Sequence, residues 1–367
     1  MAQAQPGLHL FVDISAHGFG HLAQVAPVLN ALGARLPALR LTVRSGLRSE
    51  HLRNRLAPDF THITAASTSD VGYLMHGIRV DLDASAAAYR SLHAGWAARV
   101  AAEAAFLSAL APDLILSDVA YLPLAGAVQA GIPALALSSL NWADLFAHYF
   151  AGRPWAAQIH DEMLAAYNGA ECFVRLTPGM PMSDLQRVRS VGPVAAIGED
   201  CRAALRAQLG CATDQRLVLI TFGGFSKRLP IESWPPIDGV HWLVHDAWQL
   251  AHASATAFEP LGRPFTDLLH SVDAVITKPG YGLFAEAGCN GTPVLYVRRE
   301  DWPEQDCLID WLALNGRCRE IGERDLLAGR LAAPLAGLWR QPVPPQPGPV
   351  GAEEAATLLF SRLTAGS

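Results

Sequence analysis

The sequence predicts an α/β protein made of two doubly wound domains. Short apolar runs with strand character alternate with longer segments of helical periodicity, a pattern typical of βαβ units on a parallel sheet. The same pattern begins again after about residue 195, and 367 residues are enough for two domains of ordinary size. Because 51% of the residues are apolar and 17% are charged, each domain can bury a core.

The first half of the chain supplies one sheet and its helices. Helices are predicted from about His21 and near residues 85–110, where alanine-rich sequence has high helix propensity. We assign residues 1–195 to this N-terminal domain. Its strands are predicted at LHLFVDIS, LRLTVRS, FTHITAAS, DLILSD and PALALSS.

The second half repeats the pattern, and we assign residues 196–345 to a C-terminal domain. Its strands are predicted at RLVLITFGG, GVHWLVHD, SATAFEP, DAVITKPG and TPVLYV, with the helix LFAEAGCN between the last two. The following stretch QPVPPQPGPVG cannot be helical, because it is rich in proline. We expect residues 346–367 to form a linker and a helix, at about 353–363, that crosses back to the first domain.

Composition and charge exclude several classes of protein. Since 28 basic residues face 34 acidic ones, the formal charge is -6, and no basic field favours nucleic acid as a partner. The N-terminus lacks the features of an export signal, and no run of about 18 apolar residues predicts a transmembrane segment. The six cysteines form no CxxC pair, so we expect free thiols, no metal site and a cytoplasmic protein. The sequence leaves the oligomeric state open.

A turn with two glycines and two histidines, SAHGFGH at residues 15–21, follows the first predicted strand. Gly18 and Gly20 permit close backbone approach to a ligand, although the spacing is not that of a dinucleotide fingerprint. A histidine has an ordinary pKa of about 6.5 and can act as a general base. Helix capping or packing is the alternative for both histidines; the strand-end position favours a catalytic His21 and leaves His17 undecided. We expect Gln24, one turn later, on the helix surface.

Asp118 ends the strand-like run LILSD. If this strand neighbours the first one, Asp118 can orient His21 and stabilise its protonated form. The alternative is that Asp118 caps the next helix, as acidic residues often do after a strand. Aromatic residues such as Trp142 follow the fifth strand; they either line an acceptor surface or pack in the core, and packing is the more common outcome.

Two turns of the second domain have the composition of phosphate sites. The first contains Gly223, Gly224 and Ser226, whose amides and hydroxyl can hold a diphosphate oxygen. The second, TKPGYG, joins a strand to a helix N-terminus, which favours anions. Glu286, in the first turns of that helix, can accept hydrogen bonds from ribose hydroxyls. The alternatives are favourable charge placement near a helix N-terminus for Glu286 and an ordinary solvated side chain for Lys278.

These segments resemble a known family. HGFGH, LILSDV, SLNWADLFAHYF, ITFGGF and ITKPGYGLFAEAGCNGTPVLYVRRE are similar to the glycosyltransferase-like N-terminal domain of L-arabinokinases, over nearly the whole chain. More distantly they resemble GT-B glycosyltransferases, including the peptidoglycan N-acetylglucosaminyltransferase family and plant small-molecule glucosyltransferases. The resemblance implies the GT-B fold, in which two Rossmann-like domains face an interdomain cleft. It also implies that the acceptor binds the first domain and the donor the second.

The resemblance implies a role for each matching residue. His21 corresponds to the proposed base of many members, and Asp118 corresponds to the partner aspartate of the plant enzymes. Glu304 and Gln305 lie in the region that binds donor-sugar hydroxyls, with an exposed loop as the alternative. The other implied donor-binding residues contact the diphosphate, line the phosphate turn or bind the ribose: Gly20, Gly223, Gly224, Ser226, Lys278, Gly280, Tyr281, Gly282 and Glu286.

The activity implied by the resemblance is an inverting, metal-independent transfer of a sugar from a nucleoside diphosphate to an acceptor hydroxyl, with His21 as base. The donor is taken as UDP-linked, since UDP is the commonest carrier among relatives, and no other cofactor is expected. Two alternatives are a nucleotide-sugar hydrolase that activates water with the same histidine, and a non-catalytic module that only binds the nucleotide sugar. Kinase activity is not expected, because the chain contains no GxxxxGK[ST] loop.

Overall fold

The structure, a computed structural model, describes residues 7–64, 70–76, 79–222, 228–250 and 252–365. The chain divides into two compact units. Unit 1 comprises Met1–Val194 together with Val350–Ser367, and unit 2 comprises Ala195–Pro349.

Up to residue 194, unit 1 alternates strands and helices. Its strands are β1 (His9–Ile14), β2 (Arg40–Ser45), β3 (Phe60–Thr64), β4 (Met75–His76), β5 (Arg79–Val80), β6 (Leu114–Ser117), β7 (Ala134–Ser138), β8 (Cys172–Leu176) and β9 (Val188–Val191). Its helices up to this point are α1 (Phe19–Arg35), α2 (Ser49–Arg53), α3 (Leu82–His93), α4 (Trp96–Leu110), α5 (Leu122–Ala130), α6 (Trp142–Phe150) and α7 (Ala156–Gly169).

The strands of unit 1 form a parallel sheet in the order β3-β2-β1-β6-β7-β8-β9, and β4 pairs with β5 in a separate antiparallel hairpin. The strand order reverses between β1 and β6, which pair in parallel with Leu10 opposite Leu114. Both strands are buried along their whole length, as expected for a sheet covered by helices on both faces. In a doubly wound sheet, ligands bind beyond the carboxyl ends of the strands at such a reversal.

The helix predicted near residues 85–110 is interrupted. Instead of one continuous helix, the structure has α3 and α4, with a break at Ala94 and Gly95. Gly95 has φ 164° and its N–H donates to the carbonyl of His93 at 2.8 Å, a local turn that ends the helical ladder. High propensity on both sides masks this break in the sequence.

Unit 2 contains shorter elements. Its strands are β10 (Arg216–Ile220), β11 (Val240–Val244), β12 (Ala255–Ala257), β13 (Ala274–Thr277), β14 (Val294–Tyr296) and β15 (Cys318–Glu320). Its α-helices are α8 (Arg202–Leu209), α9 (Phe265–Ser271), α10 (Tyr281–Asn290), α11 (Glu304–Asn315), α12 (Glu323–Leu327) and α13 (Ala332–Trp339). Single 3-10 turns lie at Ile231–Ser233, Asp246–Trp248 and Glu259–Leu261.

The sheet of unit 2 is parallel and has the order β12-β11-β10-β13-β14-β15. This is the same winding as in unit 1, with the reversal between β10 and β13. One face of the sheet packs on a core that includes Val218, Trp242, Ile276 and Leu295, all of them buried. Each unit is therefore a doubly wound α/β sheet, which confirms the predicted fold class.

The proline-rich segment after α13 is not helical, and the chain then returns to unit 1 as α14 (Gly351–Thr364). This last helix packs on α1, where Arg35 forms an ion pair with Glu353. Gly351 permits the close approach of the two segments, because a Cβ there would overlap the carbonyl of Gly192. In the part of the chain that the structure describes, no helix is both long and apolar enough to span a bilayer.

Candidate active site

His21 and Asp118 form a buried pair at the reversal of the unit 1 sheet. His21 lies in the first turn of α1, directly after β1, and Asp118 follows the neighbouring strand β6. Nδ1 of His21 lies 2.8 Å from Oδ2 of Asp118, and only 11% of the histidine side chain is exposed. When Nδ1–H is donated to the carboxylate, Nε2 carries the lone pair that can accept a proton.

Asp118 does not cap the following helix. Helix α5 begins at Leu122 with Tyr121 at its N-cap and has no side-chain capping bond. Asp118 is fully buried instead, with Oδ2 also 3.4 Å from the backbone nitrogen of Ser15. Burial raises the pKa of Asp118 above its ordinary value, although the facing imidazole of His21 opposes this shift. The geometry is therefore that of a carboxylate that fixes the orientation of a histidine.

A second histidine–aspartate pair lies beside the first. Nε2 of His17 is 3.4 Å from Oδ1 of Asp70, whose Oδ2 accepts a 2.9 Å hydrogen bond from Nε1 of Trp142. Burial alone would raise the pKa of Asp70, but hydrogen bonds from His17 and Trp142 and the charge of His21 lower it below its usual value. The indole ring of Trp142 contacts both imidazoles, with ring centroids 6.0 Å from His17 and 5.9 Å from His21.

Sequence reasoning missed Asp70. It lies three residues beyond the predicted strand FTHITAAS, and no local pattern distinguishes it from other loop aspartates. The structure shows that the segment containing Asp70 packs tightly on His17. Gly72, two residues later, has φ +55°, and a Cβ there would overlap the imidazole ring. Trp142 is buried, as core packing predicts, yet it also bridges the two pairs.

The prediction that Gln24 lies on the helix surface is wrong. Its side chain is buried and its amide oxygen accepts from the backbone N–H of Ser139 at 3.0 Å and from the hydroxyl of Ser138 at 3.2 Å. Its amide nitrogen donates to the Ser139 hydroxyl at 3.2 Å. Gln24 therefore ties the face of α1 that carries His21 to the turn after β7.

In unit 2, Lys278 lies over the turn between β13 and α10. A Cβ built on Gly280 would be 3.6 Å from Nζ of Lys278, so the ammonium group is close to the N-terminus of α10. Gly280 is the N-cap and supplies no side-chain cap to the first-turn N–H groups. Burial and the charge of Arg299 lower the pKa of Lys278 to about 8, opposed by Glu304. The arrangement provides an ammonium group and a helix N-terminus for an anion.

Glu304 and Gln305 are buried at the start of α11 and do not lie on an exposed loop. Oε2 of Glu304 accepts a hydrogen bond from Nε1 of Trp302 at 3.1 Å. The amide of Gln305 pairs with the backbone N–H and carbonyl of Arg299, at 2.9 and 3.0 Å. Gln305 thus closes the loop that follows β14, and the charge of Glu304 opposes the lowered pKa of Lys278.

The remaining predicted site residues are distributed over both units. Gly20 is exposed in the first turn of α1, Tyr281 is buried and Gly282 half-buried in the first turn of α10, and Glu286 is half-buried one turn further along that helix. Gly223, Gly224 and Ser226 lie outside the described residues. Across the described ranges, no cluster of three or more histidine, cysteine or acidic side chains is arranged to hold a metal ion.

No protein-family model matches the chain. It is similar to the L-arabinokinase of Arabidopsis thaliana, with 25% identity over 334 residues that cover 86% of this chain. The same match covers 31% of the plant protein, so the chain spans about a third of that relative's length.

Solved glycosyltransferases are similar over almost the whole chain. The kitacinnamycin glycosyltransferase has a TM-score of 0.65 and 17% identity, and the match covers 99% of this chain and 96% of that one. CalG4, the calicheamicin glycosyltransferase, has a TM-score of 0.61 and 15% identity, covering 98% and 95%. VinC in complex with dTDP has a TM-score of 0.56 and 16% identity, covering 98% and 96%. The chain therefore has the GT-B glycosyltransferase fold.

Proposed function

We propose that this protein is an inverting, metal-independent glycosyltransferase that moves a sugar from a nucleoside diphosphate to an acceptor hydroxyl. The observation that carries the proposal is the buried His21–Asp118 pair beyond the carboxyl ends of β1 and β6. Ligands of doubly wound folds bind at this kind of position. The glycosyltransferase fold supports the same reaction class.

In the proposed reaction His21 is the general base. Its Nε2 accepts the proton of the acceptor hydroxyl while the hydroxyl oxygen forms a bond to the anomeric carbon. The bond from that carbon to the diphosphate oxygen breaks, the nucleoside diphosphate leaves, and the configuration at the carbon inverts. Asp118 stabilises the imidazolium that results. General bases of this kind contribute about 10²- to 10⁴-fold in rate.

The donor diphosphate would be held by unit 2. Lys278 and the N-terminus of α10 supply positive charge where the leaving group develops negative charge, without need for a divalent ion. Gly223, Gly224 and Ser226 would contact the same diphosphate, Glu286 the ribose and Glu304 a sugar hydroxyl. VinC binds dTDP, so dTDP-sugars are candidates beside the UDP-sugars expected from the resemblance.

We assign His17 and Asp70 to holding the acceptor beside His21. The second imidazole is partly exposed, with 22% of its side chain accessible, and Asp70 fixes its orientation. The imidazole of His17 contacts the indole ring of Trp142, and the imidazole of His21 contacts the same ring. A hydroxyl or carboxylate of the acceptor can therefore bond to His17 while the reacting hydroxyl faces His21.

The donor is identified first, by the rise in melting temperature with UDP-, dTDP-, GDP- and ADP-sugars, because a ligand stabilises the folded state that binds it. Turnover with that donor and a panel of acceptors is then compared for the wild type, His21→Ala and a remote control, His252→Ala. We expect His21→Ala to keep nucleotide binding and lose about 10²- to 10⁴-fold in turnover. EDTA should leave the wild-type rate unchanged.

Other outcomes have distinct meanings. Full turnover by His21→Ala would contradict its role as base. Rapid release of free sugar without any acceptor would identify a hydrolase. Tight donor binding without turnover across all acceptors would indicate a binding module.

A further inference from the structure

Unit 2 contains a cavity at the edge of its sheet opposite to Lys278. Asp273, Pro293 and Arg317 directly precede β13, β14 and β15, and Arg216 begins β10. All four line this cavity, which has a volume of about 320 Å³. It therefore lies at the amino ends of the strands, whereas Lys278 follows the carboxyl end of β13.

The cavity wall is rich in guanidinium groups. Arg202, Arg216 and Arg317 line it, and Asp273 is the carboxylate among the lining residues. Asp273 already accepts hydrogen bonds from Arg216 at 3.0 Å and from Arg206 at 3.1 Å, as well as from a backbone N–H. One carboxylate therefore neutralises only part of the charge of three guanidinium groups, those of Arg216 and Arg317 in the cavity wall and that of Arg206 beside it.

Two of these guanidinium groups have a buried N–H that reaches no acceptor. Nε of Arg206 and Nε of Arg317 are both inaccessible to solvent and have no hydrogen-bond partner in the described part of the chain. Buried donors in native proteins are nearly always paired with protein, water or an ion. Burial and the nearby charge of Arg216 also lower the pKa of Arg317 below its usual value, while Asp273 opposes this effect. An anion in the cavity would offset the excess positive charge around Asp273 and bond to the accessible guanidinium N–H groups of the lining arginines.

The helix that ends at the cavity does not supply that acceptor. The C-terminus of α9 presents carbonyl groups, but Arg202 donates to those of Ser271 and His270 at 3.2 and 3.5 Å. The partial negative charge of this helix end is thus matched by one arginine. The positive charge of Arg206, Arg216 and Arg317 still exceeds the single charge of Asp273.

We propose that this cavity binds a small phosphate-class oxyanion, either free phosphate or the phosphate group of a small molecule. Planar guanidinium groups bind such anions through paired, charge-assisted hydrogen bonds. The site is separate from the proposed donor turn and goes beyond the proposed function. Val343 and Gln346 of the proline-rich segment form part of its wall, so a bound anion would also hold the segment that leads to α14.

The test measures binding of inorganic phosphate and of pyrophosphate to the full chain by calorimetry, with chloride used to keep ionic strength constant. Wild type is compared with Arg317→Ala and with Arg324→Ala, which removes the same charge from an exposed position of α12 outside the cavity. We expect Arg317→Ala to weaken binding by about tenfold or more, the effect of losing a charge-assisted pair. Arg324→Ala should bind like the wild type. Glucose 6-phosphate as a third probe tests whether a phosphate group on a larger molecule enters.

The donor turn is controlled separately with Lys278→Ala. Binding that is lost in Lys278→Ala but unchanged in Arg317→Ala would place the anion at the donor turn and overturn the proposal, as would the absence of any binding by the wild type. If Arg317→Ala does not fold, Arg216→Gln gives the same comparison, because 52% of that arginine side chain is exposed and we expect its replacement to leave the fold intact. None of these readouts depends on sugar transfer.

Discussion

Asp13 is a carboxylate buried inside unit 1, at the end of β1. It contacts Arg44, whose guanidinium group also donates to both oxygens of Glu103 at 3.0 and 2.7 Å. The same group lies over the ring of Phe11, 5.2 Å from its centroid. Burial raises the pKa of Asp13 to about 6, although Arg44 opposes the shift. Asp13 and Glu103 thus share one buried cation, the guanidinium group of Arg44.

This pKa predicts how stability depends on pH. In the unfolded chain Asp13 titrates near 3.8, and in the folded protein near about 6, so the folded state binds more protons between these values. The contribution of Asp13 is therefore fully present below the lower value and is lost as pH rises through the higher one. Between about pH 4 and pH 7 we expect wild type to lose up to about 3 kcal/mol relative to Asp13→Asn.

The measurement is urea unfolding of both proteins at a series of pH values. Asp306→Asn is the matched control, because 65% of the Asp306 side chain is exposed and exposed ion pairs contribute little. Its stability should follow that of the wild type across the range. Parallel curves for wild type and Asp13→Asn would show that Asp13 is ionised in the folded protein even at low pH.

The segment that precedes β4 packs on His17, and two glycines allow the role of this histidine to be measured. Gly72 has φ +55° and a Cβ there would overlap the His17 ring, whereas Gly131 has φ +68° and open space around the same position. Alanine at either position adopts a left-handed backbone, which costs about 1–2 kcal/mol. Only Gly72→Ala must also displace His17 from Asp70.

We therefore expect Gly131→Ala to lose about 1–2 kcal/mol of stability and to keep its turnover. Gly72→Ala should lose more stability and about tenfold or more in turnover, since small misplacements near the reaction centre reduce rates strongly. Thermal unfolding and the transfer assay measure the two effects. Equal behaviour of the two variants would remove His17 from the acceptor site.

The elements that the sequence predicts well are those with local signals. Both sheets, the helices that follow them and the non-helical proline-rich segment correspond to clear periodicity or composition. The break at Gly95 was missed because alanine-rich sequence on both sides has high helix propensity. The strand β8 was missed because ECFVRL is short and its arginine interrupts the apolar run.

The sequence predicts candidate site residues where a strand leads into a helix. His21, Asp118 and Lys278 were singled out in this way, because βα turns carry their own sequence pattern. Asp70 and Gln24 could not be found, since their partners are distant in sequence: Trp142 for Asp70, and Ser139 for Gln24. Such contacts depend on how helices and turns pack, which no local pattern encodes.

At the scale of the molecule, both units repeat one topology and the chain crosses back at its end. Helix α14 follows unit 2 in sequence but packs on α1 of unit 1, with Leu359 1% exposed and Arg362 bonded to Glu171 at 2.7 Å. The stability of unit 1 therefore depends on a segment that is synthesised after all of unit 2. Mutations in α14 should weaken unit 1 and spare unit 2.

We test this dependence with Leu359→Ala. Truncating a fully buried leucine costs about 2–5 kcal/mol, and the loss should fall on unit 1. Hydrogen exchange followed by mass spectrometry should show faster exchange in α1 and unchanged exchange in α13. Leu314→Ala is the control, because this leucine of α11 is 78% exposed and its truncation should alter neither helix. Faster exchange in both helices after Leu359→Ala would mean instead that the two units unfold together.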